Sequence, residues 1–170
     1  KSVAVLDCKE VSLDFHARYS CVSKEYIYKI WNSEVRNPFL DGYALHYRYK
    51  IDEEMLNKAS QAYVGSHDFT SFCTIDNREK GDMIRNVKNF SVARDGNLVT
   101  MRVEADGFLY NMVRIMVGTL LRVQQGKIPA DGIAEIIEKK DRKFAGPTAQ
   151  ACGLYLNKVN YNLSIEYLGG

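Results

Sequence analysis

The chain has 170 residues, 46% of them hydrophobic and 26% charged, with a formal net charge of +2 at pH 7. Its length is that of one domain or of a large piece of a longer protein, and its composition excludes a disordered chain. The small net charge does not by itself indicate nucleic acid binding, and no apolar run reaches the roughly 20 residues of a membrane-spanning helix.

Cysteine and histidine usage indicates a reducing compartment and no bound metal. The four cysteines include no C-x-x-C pair, and the three histidines lack metal-ligand spacing. We therefore expect free thiols, no structural metal and a cytoplasmic location. The chain begins with Lys1 rather than methionine and carries no signal peptide pattern, so we expect a fragment or a processed product.

The first half of the chain predicts two strands, a helix and a loop. Residues 24–31 are rich in aromatic and β-branched side chains, and residues 43–51 form a second strand candidate. Asp52 is a predicted N-cap, followed by apolar residues at helical spacing and a glycine stop at Gly65. Residues 66–83 are largely polar, which predicts a long loop that is either functional or mobile.

The second half predicts a hairpin, two helices and a closing strand. Residues 87–94 and 98–106 flank Asp95-Gly96-Asn97, a strong hairpin signal, and the second of these strands alternates apolar and polar residues. The remaining predicted elements are a helix over 108–124, a helix opened by Pro129 that ends near Asp141, and a strand over 154–163. This order predicts an α+β domain over residues 1–170, with an antiparallel β-sheet and helices packed on one face.

Arg114 is the only formal charge in the apolar run from residue 108 to residue 121. An unpaired buried guanidinium costs several kcal/mol, so Arg114 either extends to solvent along its aliphatic stem or binds an anion. If the run is helical, Asn111, Arg114 and Gly118 lie on one side of the helix, as the wall of a cleft would require.

Two further segments carry candidate binding residues. Tyr26 and Tyr28 lie on one face of the first predicted strand, either as core residues or, beside lysines, as a platform on which an unpaired base could stack. His16 precedes that strand, and a structural histidine is the more common alternative to a catalytic one.

These segments belong to a series of motifs that resembles the tRNA pseudouridine synthase A family in order and spacing. In chain order the motifs are Phe15-His-Ala-Arg18, Tyr26-Ile-Tyr28, Gly65-x-His-Asp-Phe-Thr-Ser-Phe72, Met112-Val-Arg114-x-x-Val-Gly118, Asp141-Arg142, Ala145-Gly-Pro-Thr-Ala149 and Gly153-Leu-Tyr-Leu156. The resemblance covers nearly the whole chain.

The resemblance implies a pseudouridine synthase fold and an isomerase that converts uridine to pseudouridine in the anticodon arm of tRNA, without a cofactor or metal. The target base is flipped out of its stack, and a catalytic aspartate attacks the flipped nucleotide. The family also implies a homodimer in the full-length protein, tRNA as its partner and no association with membranes.

Site residues follow from the resemblance by matching position. Tyr26 would stack on the base and is the candidate for removing the C5 proton. Arg114 would pair with the catalytic aspartate, and Leu154 would pack against the base. Weaker candidates for phosphate contacts to the tRNA arm are Arg18, Arg78, Arg85 and Arg142.

The chain departs from the family pattern in three places. It contains no Gly-Arg-Thr-Asp-Ala-Gly motif, where the family carries its nucleophilic aspartate, and Asp68 and Asp106 are only the nearest stand-ins. It has Tyr110-Asn111 where the family often has His-His, and Ile115 where an asparagine is common. We therefore expect the C-terminal domain of such an enzyme, which supplies about half of the active-site cleft and is inactive alone.

Two alternatives remain open from the sequence. The chain could be a non-catalytic RNA-binding or interaction domain that kept the fold and lost the chemistry. It could also be a stand-alone α+β enzyme that uses His16 and Asp106 as acid and base, which requires these two side chains to share one cleft.

Overall fold

The computed structural model describes residues 3–74 and 81–162 of the chain. Its strands are β1 (Cys21–Asn32), β2 (Leu45–Tyr47), β3 (Gly65–Asp68), β4 (Ile84–Asp95), β5 (Leu98–Ala105) and β6 (Leu154–Tyr161). Its α-helices are α1 (Glu53–Ser60), α2 (Met112–Gln124) and α3 (Ile133–Lys139). The domain is α+β, as the sequence predicts, and no helix among the described residues is long and apolar enough to cross a membrane.

Strand β1 is the centre of the six-stranded sheet. It pairs with β5 along one side, and with β6 and β2 end to end along the other, while β4 and β3 continue the sheet beyond β5. All of these pairings are antiparallel except β1 with β2, which is parallel over Ile30–Asn32. The predicted antiparallel sheet is thus confirmed with one parallel edge segment.

One face of the sheet is apolar and carries the helices. The predicted alternation in β5 is confirmed, because Val99, Met101, Val103 and Ala105 are buried in one core with α2. The predicted hairpin joins β4 to β5 through a two-residue turn at Gly96, whose φ of +55° lies in the left-handed region that glycine adopts without strain. The hydrophobic effect thereby fixes which face of the sheet covers the helices.

The strand predicted over residues 43–51 is correct only for β2. Beyond it, the side chain of Asn32 takes the place of a partner strand: its amide nitrogen donates to the carbonyls of Tyr47 and Tyr49, and its oxygen accepts the N–H of Ile51. A side chain therefore satisfies backbone groups that a ladder would otherwise pair.

The loop predicted over residues 66–83 is wrong at its beginning. Residues 65–68 form β3, an edge strand paired with β4, and Phe69 and Phe72 after it are fully buried. The sequence of β3 is polar because an edge strand is only partly covered by the rest of the protein, so its residues resemble those of a loop. Residues 75–80 lie outside the described residues.

The helix predicted from residue 108 begins at Met112. Asn111 has a φ of +62° and ψ of +7°, a left-handed conformation that ends the preceding turn and prevents helix from continuing back to Phe108. Similarly, α3 begins at Ile133 rather than at Pro129, with Gly132 as its N-cap. The last strand ends at Tyr161, and residue 163 lies outside the described part of the chain.

Gly118 does not face a cleft, contrary to the helical-stripe prediction. A Cβ atom at Gly118 would lie 1.7 Å from the carbonyl oxygen of Pro147, so the missing side chain lets the 145–149 loop pack directly on α2. Two hydrogen bonds hold this contact, from Gly146 N–H to the Thr119 hydroxyl and from Ala149 N–H to the Arg114 carbonyl.

We expect Gly118→Ala to destabilise the fold although alanine favours a helix over glycine by about 1 kcal/mol. The clash with backbone should outweigh that gain, because overpacking a tight contact costs about 1–3 kcal/mol. Urea unfolding measures the change. A more stable Gly118→Ala variant would contradict this packing.

Candidate active site

A cavity of about 550 Å³ opens at the N-terminal end of α2. It lies between the first turn of this helix, the segment that leads into it, the middle of β1 and the start of β6. Its described lining residues are Arg18, Tyr26, Arg85, Phe108, Leu109, Tyr110, Asn111, Met112, Val113, Arg114, Ala151 and Leu154. The cavity therefore brings Tyr26, Arg114 and Leu154 together.

Strand register explains why Tyr26 and Leu154 share this cavity. Leu154 lies opposite Tyr28 in the β1–β6 pair, and side chains two residues apart on a strand point to the same face. Tyr26 and Leu154 are thus diagonal neighbours on the face that also carries the helices. Both are half-buried, so each offers an apolar surface to a molecule in the cavity.

The two tyrosines of β1 have different roles in the structure. Tyr28 is fully buried and its hydroxyl donates to the Gln150 carbonyl at 2.6 Å, so it is a core residue. The Tyr26 ring meets the Phe108 ring edge-on, with centroids 5.0 Å apart, and its hydroxyl makes no hydrogen bond to a described residue. Burial raises the pKa of the Tyr26 phenol, which is therefore neutral at neutral pH.

Arg114 lies in the first turn of α2, half-buried, with its guanidinium at the cavity rather than in the apolar core. Its Nε donates to the Ala149 carbonyl at 2.7 Å and its Nη1 to the Asn111 Oδ1 at 3.0 Å. Both acceptors are neutral, and no described aspartate or glutamate forms an ion pair with it. Its charge is therefore held in place without being neutralised.

The surroundings of Arg114 are positively charged. Arg18 and Arg85 also line the cavity, and no acidic side chain is among its described lining residues. The Arg85 guanidinium is fixed by the carbonyls of Asp82 and Ile84. Three arginines facing one partly enclosed space create a potential that attracts anions.

Arg142, another predicted phosphate contact, is not among the described residues that line this cavity. Both Nη atoms of Arg142 lie 3.4 Å from acceptors in the adjacent loop, the Ala145 carbonyl and the Thr148 hydroxyl, and burial lowers the pKa of its guanidinium. These contacts indicate that Arg142 holds the loop that packs on α2. Arg78 lies outside the described residues.

The acid–base pair His16 and Asp106 is not assembled here. The His16 Nδ1 accepts the backbone N–H groups of Arg18 and Tyr19, and Asp106 accepts the N–H of Asn86. Neither side chain lines the cavity. Asp68 is also engaged elsewhere, 3.0 Å from the Lys140 ammonium. Burial alone would raise the pKa of Asp68, but hydrogen bonds from Thr70 and Lys140 bring it below its ordinary value.

The site contains residues that sequence reasoning missed. Phe108 packs against Tyr26, and Thr74 accepts a hydrogen bond from the Asn111 side chain. A break at Gly107 followed by an aromatic residue was the only sequence signal for Phe108. Among residues 3–74 and 81–162, no group of three or more His, Cys, Asp or Glu side chains could hold a metal ion.

The fold and this cavity define an α+β protein with a cationic, aromatic-lined site suited to a base and its phosphates. A family model described as tRNA pseudouridine synthase matches residues 59–162, and the chain belongs to this family.

Similar curated proteins agree with that assignment. The chain is 43% identical over 160 residues to tRNA pseudouridine synthase A of a Geobacillus species, 42% identical over 159 residues to that of Acetivibrio thermocellus, and 40% identical over 159 residues to tRNA pseudouridine synthase A 2 of Bacillus anthracis. Each alignment covers 94% of this chain but only 64–65% of the relative. The chain thus spans about two thirds of the length of these relatives.

We expect Tyr26→Phe to leave stability at pH 8 within about 0.5 kcal/mol of the unsubstituted protein, because the hydroxyl makes no hydrogen bond to a described residue. Above pH 10 the unsubstituted protein should lose more stability than the variant. Because folding raises the Tyr26 pKa, the neutral phenol contributes to the free energy of unfolding. This contribution is complete below the ordinary tyrosine pKa of about 10 and is lost as the pH rises through the pKa of the folded protein.

Urea unfolding at pH 8 and pH 11 measures both differences. Burial also raises the pKa values of Tyr28 and Tyr63. Because both proteins retain these two residues, their contributions to the pH dependence cancel in the comparison. Equal losses of stability in the two proteins between these pH values would contradict the burial of the Tyr26 phenol.

Proposed function

We propose that this chain is the C-terminal domain of a tRNA pseudouridine synthase A, and that the complete protein converts uridine to pseudouridine in the anticodon arm of tRNA. The observation that carries the proposal is the uncompensated Arg114 guanidinium beside Tyr26 and Leu154. A cavity with three arginines, aromatic rings and no described acid fits a nucleotide and a carboxylate that comes from elsewhere.

The reaction is an isomerisation, so no cofactor is consumed. A carboxylate attacks the flipped nucleotide, the bond from the sugar to N1 breaks, and the base turns within the cavity. A bond then forms from the sugar to C5 and the bond between the carboxylate and the nucleotide breaks. The C5 proton leaves and N1 gains a proton. The protein must hold a detached base between these steps, which apolar and aromatic walls can do by stacking.

Tyr26 and Leu154 are the proposed walls for the base. The Phe108 ring packs against the Tyr26 ring in a T-shaped contact, which limits the rotation of the Tyr26 ring. Tyr26 lines the cavity, and its hydroxyl is the candidate for receiving the C5 proton. Because burial raises the pKa of this phenol, it must pass on its own proton when it does so.

Arg114 is the proposed partner of the catalytic aspartate. A guanidinium within hydrogen-bonding distance of a carboxylate lowers the carboxylate pKa and fixes its orientation. The Nε of Arg114 is already bound to Ala149, so a carboxylate would bind through the η nitrogens. The pair would be partly desolvated in the cavity and hence stronger than one on an open surface.

The remaining arginines divide into two groups. Arg18 and Arg85 lie at the cavity and are the proposed phosphate contacts of the tRNA arm. The contacts of Arg142 favour a structural role, and Arg78 stays a sequence prediction. A homodimer is a proposal supported by the family resemblance alone, and a cytoplasmic location is a proposal supported by the cysteine usage.

The alternative is a non-catalytic RNA-binding domain, and it is favoured by one observation: this sequence contains no Gly-Arg-Thr-Asp-Ala-Gly motif. The two functions predict different sequences before Lys1. A Gly-Arg-Thr-Asp-like segment roughly forty residues before Phe15 in the gene supports the enzyme, and a gene that lacks such a segment contradicts it.

We expect the complete protein to release tritium from C5-labelled uridine in tRNA, and this chain alone to release none. The chain should still bind tRNA through its cationic cavity. Tritium release and filter binding, run on both proteins with the same tRNA, test the two statements. Release by the chain alone would show that the nucleophile lies within these residues, and no release by the complete protein would favour the RNA-binding alternative.

We expect Arg114→Ala in the complete protein to reduce tritium release by at least a hundredfold. Removing one partner of a buried ion pair costs about 3–5 kcal/mol, because the other charge is left unpaired. Arg122→Ala is the matched control, since Arg122 lies on the same helix, bonds Gln125 and is not at the cavity. Unchanged release by Arg114→Ala would refute the ion pair.

A further inference from the structure

Asn111 stands at the N-cap of α2 but does not cap the helix. Asparagine at an N-cap normally has an extended backbone and accepts an N–H of the first turn, which stabilises the helix. Here Asn111 is left-handed, and its side chain makes no capping hydrogen bond. A local rule of helix formation is broken at this position, as is common at functional sites.

The side chain of Asn111 is used for two other contacts. Its Oδ1 accepts from the Arg114 Nη1 at 3.0 Å, and its Nδ2 donates to the Thr74 hydroxyl at 3.1 Å. Because arginine can only donate, the amide oxygen must face Arg114 and the amide nitrogen must face Thr74. The backbone N–H of Thr74 in turn donates to the Tyr110 carbonyl at 3.1 Å, which ties the two segments together.

The second restraint on Arg114 comes from a different segment, the 145–149 loop. The Ala149 carbonyl accepts from Nε at 2.7 Å, so two acceptors from separate segments fix the plane of the guanidinium. A free arginine side chain carries rotamer entropy that is lost when a partner carboxylate binds it. Restraint before binding lowers this cost.

The acceptor at position 111 is a neutral amide, so it can orient the Arg114 guanidinium without neutralising its charge. Aspartate has nearly the same shape and also tolerates the left-handed conformation, but it would form an ion pair with Arg114. That internal pair would compete with any external carboxylate. Asparagine gives the same geometry and leaves the positive charge of Arg114 available.

We propose that Asn111 is a positioning residue that orients Arg114 for an external carboxylate without neutralising it, and that Thr74 fixes the Asn111 amide. This inference rests on the proposed function, since the carboxylate is the catalytic aspartate of the complete enzyme. Asn111 acts through Arg114 and needs no contact with the base.

Asn111→Asp in the complete protein is the decisive variant. We expect kcat for tritium release to fall at least tenfold with KM changed less than twofold, while thermal stability stays equal or rises through the new ion pair. A merely structural role predicts unchanged kcat, because aspartate preserves the shape and the backbone conformation. Asn89→Asp is the matched control, since Asn89 is exposed on β4 and its side chain is outside the cavity.

Two further variants separate the side chain from the backbone. Asn111→Gly removes the acceptor but adopts the left-handed conformation freely, so a similar fall in kcat would assign the effect to the lost acceptor. Thr74→Val should lower kcat severalfold by releasing the amide, and Thr74→Ser, which keeps the hydroxyl, should restore it.

The outcomes distinguish this inference from the proposed function. If Arg114→Ala is inactive but Asn111→Asp and Asn111→Gly retain the kcat of the unsubstituted enzyme, the positioning role is overturned and the proposed function stands. If Arg114→Ala is fully active, the ion pair fails and the positioning role fails with it. A variant with lowered stability is compared at a temperature where circular dichroism shows it folded, so a fall in kcat there supports the inference.

Discussion

The candidate site depends on the Arg114 guanidinium, which lines the cavity without an ionic partner among the described residues. Arg114 is half-buried at the start of α2, where an arginine without partners would be costly, and only neutral acceptors hold it. The main-chain carbonyl of Ala149 and the amide of Asn111 satisfy its geometry but not its charge. Electrostatics therefore leaves a site that attracts an anion, and the two other arginines at the cavity strengthen that attraction.

The fold supplies this arrangement through three connections. The apolar face of the sheet shares one core with α2, which holds the helix against the sheet. Because Gly118 has no side chain, the 145–149 loop approaches α2 closely enough for the Ala149 carbonyl to accept a hydrogen bond from Arg114. Strand pairing then places Tyr26 and Leu154 on the same face. Each connection lies in a different part of the chain, so the site forms only when the whole domain folds.

Much of the architecture could be predicted from local patterns. Alternation in β5, the hairpin signal at Gly96 and the Asp52 N-cap are properties of neighbouring residues, and the structure confirms all three. Prediction failed where a distant group replaced a local one. Asn32 substitutes for a strand after Tyr47, and β3 is polar because it lies at an edge, which no local pattern reveals.

The sequence by itself determined the α+β class, the family motifs and the presence of a lone arginine in an apolar run, because these depend on residue type and spacing. Only the tertiary structure decided the surroundings of Arg114. Its acceptors lie three and thirty-five residues away in sequence, and Asn111 reaches it by leaving the helical conformation that the pattern predicts. A backbone angle at one residue and a close packing contact at another are set by the balance of the whole core, so periodicity cannot specify them.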